Sequence, residues 1–391
     1  MNDSIQAAAS SARLAVRALR PSQIREVANA GLGETGVLPF WFGEPDEVTP
    51  AFIRDAAAQS LARGETFYSQ NFGIPELREA IGAYVSRLHR PTSAGQVAVT
   101  ASGMSALMLT VEALVAPGDR VVIVTPLWPN LVEIPKILSA HVNCIPLAFT
   151  AAGWTLDIDR LLAGLTPDTR MLMINSPNNP TGWTIDRAGQ QAILDHCRRR
   201  GIWIVADDVY ERLVYDGETC APSFLDLAAP EDRVISTNSF SKSWLMTGWR
   251  LGWIVAPEPL MPDLGKLIEY NTSCSPVFVQ RAGVVAITDG EPTIRHTLER
   301  YSAARDHLVS ALARLPRIAV APPAGAMYAF FRVEGVTDSL AFCKRLVREA
   351  RLGLAPGSAF GPEGEGFVRW CFASSQARLA DGIARLERFL G

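Results

Sequence analysis

Four short polar segments and one arginine carry the residue types most able to do chemistry in this chain. They are Ser102-Gly103-Met104, the run from Asn175 to Gly182 (N-S-P-N-N-P-T-G), Asp207-Asp208-Val209-Tyr210, and Ser239-Phe240-Ser241-Lys242, with Arg250 eight residues beyond Lys242. A lysine amine must be neutral to form and exchange an imine, and burial lowers its pKa, so a lysine held in a dry crevice suits that task. A lysine taken alone is usually a surface residue; the S-x-S-K-x₇-R context sets Lys242 apart.

The elements around these segments explain how they could meet. From about residue 95 to 256, short β-rich runs alternate with helical patterns. Val97–Thr100 precedes a helical Gly103–Val115, and a Pro117-Gly118-Asp119 turn leads to Arg120–Val124. Further strands are expected at Met171–Asn175, Ile202–Asp207, Val234–Thr237 and Leu251–Ala256, with a helix over Arg187–Arg200. The strands are continuous apolar runs rather than alternations, as expected where both faces are buried. The pattern predicts an α/β fold: a large domain with a mostly parallel, seven-stranded type of sheet flanked by helices. Ligands of such sheets sit at the carboxyl ends of the strands, where all the polar segments fall. After about residue 286 a long helix and short strands predict a smaller α+β domain. The expected division is therefore an arm over 1–46, a large domain over 47–285 and a small domain over 286–391. The Ala- and Ser-rich start, Met1–Arg20, carries Asp3 and lacks an apolar stretch, so it is expected to be an arm or helix rather than a signal peptide.

The segments S-P-N-N-P-T-G and S-F-S-K-S-W-L-M-T-G-W-R-L-G resemble those of the class I/II aminotransferases, which are fold-type I pyridoxal 5'-phosphate (PLP) enzymes. The likeness to the bacterial aspartate-aminotransferase-like subgroup runs from about Gly43 to Ala373. It implies that Lys242 is the Schiff-base lysine, which shuttles a proton once substrate displaces it. Asp207 matches the carboxylate that keeps the pyridine nitrogen protonated. Tyr210 and Asn179 match the pair bonded to the phenolic oxygen; the motif places that role on Asn179, directly before Pro180-Thr181-Gly182, rather than on Asn175. The resemblance assigns the phosphate to the helix-start amides of Ser102, Gly103 and Met104, to Ser239 and Ser241 as hydroxyl donors, and to Arg250. Tyr68 resembles the tyrosine that reaches the phosphate from the neighbouring subunit, which implies a homodimer. Trp128 matches the aromatic stacked on the ring. Arg369, in V-R-W-C-F-A, matches the arginine that grips the substrate α-carboxylate, and Gly43, in G-E-P-D, the glycine beside the same group.

Composition bounds the alternatives. The chain has 391 residues, 37 basic against 40 acidic, and a formal charge of −3. No basic stripe suits nucleic acid, and no apolar run approaches the roughly eighteen residues of a membrane span. Six scattered cysteines without a C-x-x-C pair predict reduced thiols and a cytoplasmic protein. The five histidines lack metal-ligand spacing, so no metal is expected. Gly31–Gly36 fits G-x-G-x-x-G, but the preceding Gln23–Ala30 reads as helix, and a dinucleotide fingerprint must follow a strand.

The whole-chain pattern implies ping-pong transamination between an L-amino acid and a 2-oxo acid. Met104 stands where some relatives place a lysine for the distal carboxylate of aspartate. Trp41, Phe42, Trp183 and Trp244 point to an apolar or aromatic donor. A β-eliminating C–S lyase on the same fold would share the cofactor contacts. A PLP-binding transcription regulator would carry an added DNA-binding domain, for which Gly43 arrives too early.

Overall fold

The computed structural model describes residues 12–150 and 152–391; residues 1–11 of the expected arm, Asp3 among them, lie outside the described residues. Seven strands form the central sheet: β1 (Val97–Thr100), β2 (Arg120–Thr125), β3 (His141–Pro146), β4 (Thr169–Asn175), β5 (Trp203–Asp207), β6 (Val234–Ser239) and β7 (Gly252–Val255). Their order is β1-β7-β6-β5-β4-β2-β3. All neighbours are parallel except at β7, which runs antiparallel to both β1 and β6.

Successive side chains of a strand point to opposite faces, and here each face has its own apolar core. Leu172, Ile174, Ile204 and Ala206 pack on one side, against helices that include Ala51–Ala62, Pro75–Leu88 and Val277–Asp289. Met171, Met173, Val205 and Ile235 pack on the other, against helix Gly103–Leu114. The apolar runs of the sequence thus reflect a sheet covered twice. The strand at β3 was not foreseen, and its environment explains why: it is the sheet edge, with His141 and Cys144 exposed, so it needs no continuous apolar run.

A second, antiparallel sheet is built from β8 (Ile318–Ala319), β9 (Tyr328–Val333), β10 (Ala355–Pro356) and β11 (Phe367–Cys371), ordered β8-β9-β11-β10. Helices Ser339–Ala350 and Gln376–Leu390 accompany it. Ile24 and Val27, on helix Gln23–Ala30, share its core with Phe40 and Trp41. Leu38–Pro39 pairs in parallel with Leu352–Gly353. The Gly31–Gly36 segment follows a helix, and Gly33 and Gly36 take φ of +82° and +74° in the turn beyond it, so it lacks the strand context of a dinucleotide site. No helix among the described residues is long and apolar enough to cross a membrane. Nor do three or more His, Cys, Asp or Glu side chains among them group to hold a metal ion.

Candidate active site

The carboxyl ends of β4, β5 and β6, together with the start of helix Gly103–Leu114, open onto a cavity of about 440 Å³. Its wall includes Gly43, Gly103, Met104, Trp128, Asn179, Asp207, Tyr210, Ser239, Ser241, Lys242, Arg250 and Arg369. Residues from more than three hundred positions of chain meet there because parallel strands deliver their carboxyl ends to one rim.

Lys242 follows β6 and is half-buried. Its Nζ donates to the Gly43 carbonyl at 2.6 Å. Burial pulls its pKa down to about 8; among its neighbours Cys371 opposes that most, Arg369 adds to it, and Glu44 and Arg250 follow with smaller pulls up and down. Asp207 ends β5 and is pushed up to about 7 by burial and by neighbouring Asp208; the Val209 N–H and Lys242 work the other way. The Lys242 amine, drawn down to about 8, and the Asp207 carboxyl, pushed up to about 7, therefore both change charge close to neutral pH and face one space, the condition that proton-transfer chemistry requires.

The N-S-P-N-N-P-T-G loop holds the next group. Asn175 does not carry its side chain to a ligand role of its own: its Oδ1 accepts from the Asn179 N–H at 2.8 Å, and its Nδ2 donates to the Asp207 carbonyl at 2.9 Å. It thereby fixes the loop to the end of β5. The Asn179 Oδ1 accepts from Arg369 Nη1 at 2.9 Å, while Arg369 Nη2 donates to the Trp41 carbonyl at 2.5 Å. Arg369 is only 2 % exposed, lies over the Tyr328 and Phe360 rings, and keeps its Nε without a partner among the described residues. A buried guanidinium with an unspent N–H is suited to an incoming carboxylate. The Tyr210 and Tyr328 hydroxyls are 2.7 Å apart, and Asn179 Nδ2 reaches Tyr210 Oη at 3.5 Å. Burial raises the Tyr210 pKa well above its ordinary value, so the phenol stays a proton donor.

At the other end of the cavity, the Ser102 hydroxyl caps its own helix by accepting from the Ser105 N–H at 3.0 Å. Ser102 itself does not line the cavity, whereas Gly103 does. Space is tight: a Cβ on Gly252 would fall 2.5 Å from the Gly103 nitrogen, and one on Gly103 would fall 3.0 Å from the Ser239 Cβ. Ser239 and Ser241 are bonded to each other at 2.7 Å. Arg250, exposed and at φ +52°, donates to the Thr247 carbonyl at 2.6 Å and keeps its guanidinium on the cavity wall. Helix-start amides, hydroxyls and a guanidinium form a donor set for an anion. Trp128 is half-buried on the wall, and its N–H donates to the Asn179 carbonyl at 2.9 Å.

Tyr68, expected to serve the site of a neighbouring subunit, is 90 % exposed and stands outside this cavity. Of the four aromatics expected to shape a side-chain pocket, only Phe42 lines it. Trp244 is 1 % exposed and packs against Phe240, Trp253 and Tyr84 in the large core, so the apolar surface drives it inward. Trp183 borders a separate hollow with Trp154. Trp41 is buried against Gly353 and contributes its carbonyl, not its ring. Conversely, Tyr328, Arg25, Asn130 and Glu44 line the cavity without having been singled out. Tyr328 lies in a strand that reads as ordinary core, and Arg25 lies on an amphipathic helix that reads as a solvated face. Neither carries a local motif.

The chain matches the model of the family "Aminotransferase class I and II" over residues 35–386. It is 35% identical to an aspartate aminotransferase of Pyrococcus horikoshii, over 95% of each chain. It is 31% identical to an aromatic-amino-acid aminotransferase of Thermococcus litoralis, over 95% of this chain and 96% of that one. The crystal structure of an aspartate aminotransferase from Thermotoga maritima superposes with a TM-score of 0.90 at 32% identity, covering 97% of this chain and all (100%) of that one. With the family matched along nearly its whole length and the fold shared throughout, this chain belongs to the class I and II aminotransferases, and is a PLP-dependent transferase.

Proposed function

We propose that the cavity bounded by β4, β5 and β6 is where this aminotransferase holds PLP and both of its substrates in turn. The observation that carries the reading is the convergence of Lys242, Asp207, Asn179, Tyr210 and Arg369 on one wall. The donor set fits the cofactor part by part. Gly103, Met104, Ser239, Ser241 and Arg250 would hold the phosphate, joined by the Ser102 backbone. Asp207 would face the ring nitrogen, Asn179 and Tyr210 the ring hydroxyl, and Trp128 the ring face. PLP bound there supplies an aldehyde that an amine can capture and a protonated ring that draws electron density from the substrate.

The protein's own groups do the rest. Lys242, in its uncharged form, would supply the amine that holds the aldehyde and, once free, would take the proton from the substrate Cα. Arg369 and the Gly43 backbone orient the α-carboxylate, so the Cα faces the Lys242 amine. The reaction is a ping-pong exchange between an L-amino acid and a 2-oxo acid. Phe42, Met104 and Leu107 offer an apolar surface to the side chain of the donor. Arg25 is exposed on the cavity lining, 5.4 Å over the Phe42 ring, and has no carboxylate partner among the described residues; it would meet an acidic side chain of the second substrate. The test is a panel of amino acids mixed with the purified PLP-loaded protein. Apolar and aromatic donors should discharge the visible cofactor band, and a 2-oxo acid should restore it. Release of pyruvate and ammonia without amine transfer would sink the reading.

We further read the working unit as a homodimer with Tyr68 reaching the partner's site. Phe67, Tyr68 and Tyr270 are 84, 90 and 89 % exposed. Residues near them in the chain tie to one another and to the helix start: Asn71 donates to Glu269, and Ser105, in the first turn of helix Gly103–Leu114, donates to Asn271. Large exposed aromatics on one face favour an interface. We keep the division into an arm over 1–46, a large domain over 47–285 and a small domain over 286–391 as a proposal: the central and small sheets have their own apolar cores, the arm's Ile24, Val27, Phe40 and Trp41 pack into that of the small sheet, and Ala286, Ile287 and Ile294 pack into that of the large one. Six free cysteines favour a reducing, cytoplasmic setting.

A further inference from the structure

Two tyrosines from distant parts of the chain meet on the cavity wall. Tyr210 follows β5, and Tyr328 opens β9 of the smaller sheet. They are 4 % and 1 % exposed. Their hydroxyl oxygens lie 2.7 Å apart, and their rings meet edge to face with centroids 5.7 Å apart. The backbone holds the pair in register. The Ala326 N–H donates to the Leu213 carbonyl at 2.8 Å, and the Tyr215 N–H to the Ala324 carbonyl at 3.2 Å. The Tyr215 hydroxyl donates to the Ala326 carbonyl at 2.6 Å. The segment just past Tyr210 is thus tied to the segment just before Tyr328.

A phenol has one hydrogen to give and lone pairs for two bonds. Tyr210 Oη accepts from Asn179 Nδ2 at 3.5 Å. Tyr328 Oη has no hydrogen-bond partner but Tyr210 among the described residues, and it fills the space a Cβ on Gly43 would need. The shared hydrogen can come from either side. If Tyr210 gives it, Tyr210 has none left for a ligand. If Tyr328 gives it, Tyr210 accepts twice and its own hydrogen is free for the cavity. A ligand oxygen at Tyr210 selects the second arrangement, because both phenols then donate. Burial raises both pKa values, so both hydrogens stay in place near neutral pH. The other charged or titratable groups that face the pair are Arg369, 4.4 Å over the Tyr328 ring, Lys242, 5.9 Å over the Tyr210 ring, Asp207 at the end of β5, and Cys371, opposite Tyr328 in the ladder. None of these four is bonded to either hydroxyl.

We propose that Tyr328 is a positioning residue for the Tyr210 hydroxyl: it donates to the Tyr210 oxygen, so that the single hydrogen of Tyr210 is left for the ring hydroxyl oxygen of PLP. The proposal rests on the reading of the cavity as the PLP site. A phenol that accepts a hydrogen bond donates more strongly, so Tyr328 also strengthens the bond that Tyr210 makes. That effect has a spectroscopic signature. The visible band of the loaded enzyme changes with pH as the nitrogen joining Lys242 to the cofactor loses its proton, which leaves negative charge on the ring oxygen. Donors to that oxygen favour the deprotonated form, and a weakened donor moves the midpoint up.

The test is a pH titration of the visible band in the PLP-loaded protein, without substrate. Tyr328→Phe keeps the ring beneath Arg369 and should raise the midpoint by about half a pH unit, a roughly threefold lower proton concentration. Tyr210→Phe should raise it further. Adding Tyr328→Phe to Tyr210→Phe should change nothing more, since Tyr328 acts through the Tyr210 oxygen. An unmoved or lowered midpoint in Tyr328→Phe, or a shift that persists in the Tyr210→Phe background, would overturn the proposal. If Tyr328→Phe fails to accumulate, Gly43→Ala, which crowds the Tyr328 oxygen off Tyr210, decides instead: a raised midpoint supports the proposal and an unmoved one overturns it. A Lys242→Ala protein that keeps a borohydride-sensitive visible band would overturn the cavity assignment beneath it.

Discussion

The Lys242 amine donates to the Gly43 carbonyl at 2.6 Å, joining two residues 199 positions apart in the chain. That bond links the end of the central sheet to the segment that leads from the N-terminal arm. It also places the amine beside the backbone proposed to hold the substrate carboxylate. The chemistry and the substrate grip are thus built from separate parts of the fold that close on each other.

The first prediction concerns the protonation of that amine. With its pKa drawn down to about 8 by burial and by Arg369 and Arg250, Lys242 is charged below that pH and neutral above it. The rate at which apoenzyme captures PLP should therefore rise with pH and level off above a midpoint near 8. Stopped-flow growth of the visible band measures it. A midpoint near the ordinary lysine value would contradict the environment described.

Gly43 is the second. A Cβ there would fall 1.9 Å from the Tyr328 hydroxyl and 3.0 Å from its Cζ. Gly43→Ala should force the tyrosine away, break its 2.7 Å bond to Tyr210, and lower kcat/KM by about tenfold or more, on the scale of losing a buried hydrogen bond. Adding Tyr328→Phe removes the clashing oxygen and should recover part of the loss. A double variant worse than Gly43→Ala would refute this cause.

Much of this was legible in the sequence, for a physical reason. Strands covered on both faces carry apolar runs, as in Met171–Ile174 of β4 and Ile204–Ala206 of β5, and the polar residues that end them mark the rim; β6, V-I-S-T-N-S, is buried along its length yet mostly polar. Lys242, Asp207 and Asn179 lie in motifs that turn sharply off those ends, and motif and position point the same way. Tyr328 and Arg25 reach the cavity only through tertiary packing. Trp244 shows the converse: an aromatic three residues from Ser241 looks like pocket lining, but its side chain has a larger apolar surface to meet in the core. In the sequence, the one route to Tyr328 is to ask what a glycine as constrained as Gly43 makes room for.

For Arg369 the prediction separates grip from charge. Arg369→Lys keeps a cation but loses the fork that spans Asn179 and Trp41. The loss of charge-assisted bonds of about 1.5–3 kcal/mol should lower kcat/KM by roughly 10- to 100-fold. Because every substrate carries an α-carboxylate, donors and acceptors should suffer alike. A loss confined to one side of the exchange would mean that Arg369 reads a side chain instead.

Arg25 should behave in the opposite manner. Arg25→Gln should lower the ratio of kcat/KM for glutamate to that for leucine by about tenfold, the value of one exposed-to-half-buried charged contact. Arg25→Glu should lower the ratio further. Half-reaction kinetics with the two amino acids decide the matter. An unchanged ratio would remove Arg25 from substrate recognition.

The most direct test of the central claim is to load the protein with PLP, reduce it with borohydride, and map the modified lysine by mass spectrometry. The account predicts a single reduced adduct on Lys242 and loss of the borohydride-sensitive visible band in Lys242→Ala. An adduct on another lysine, or an unchanged band in that variant, would contradict it.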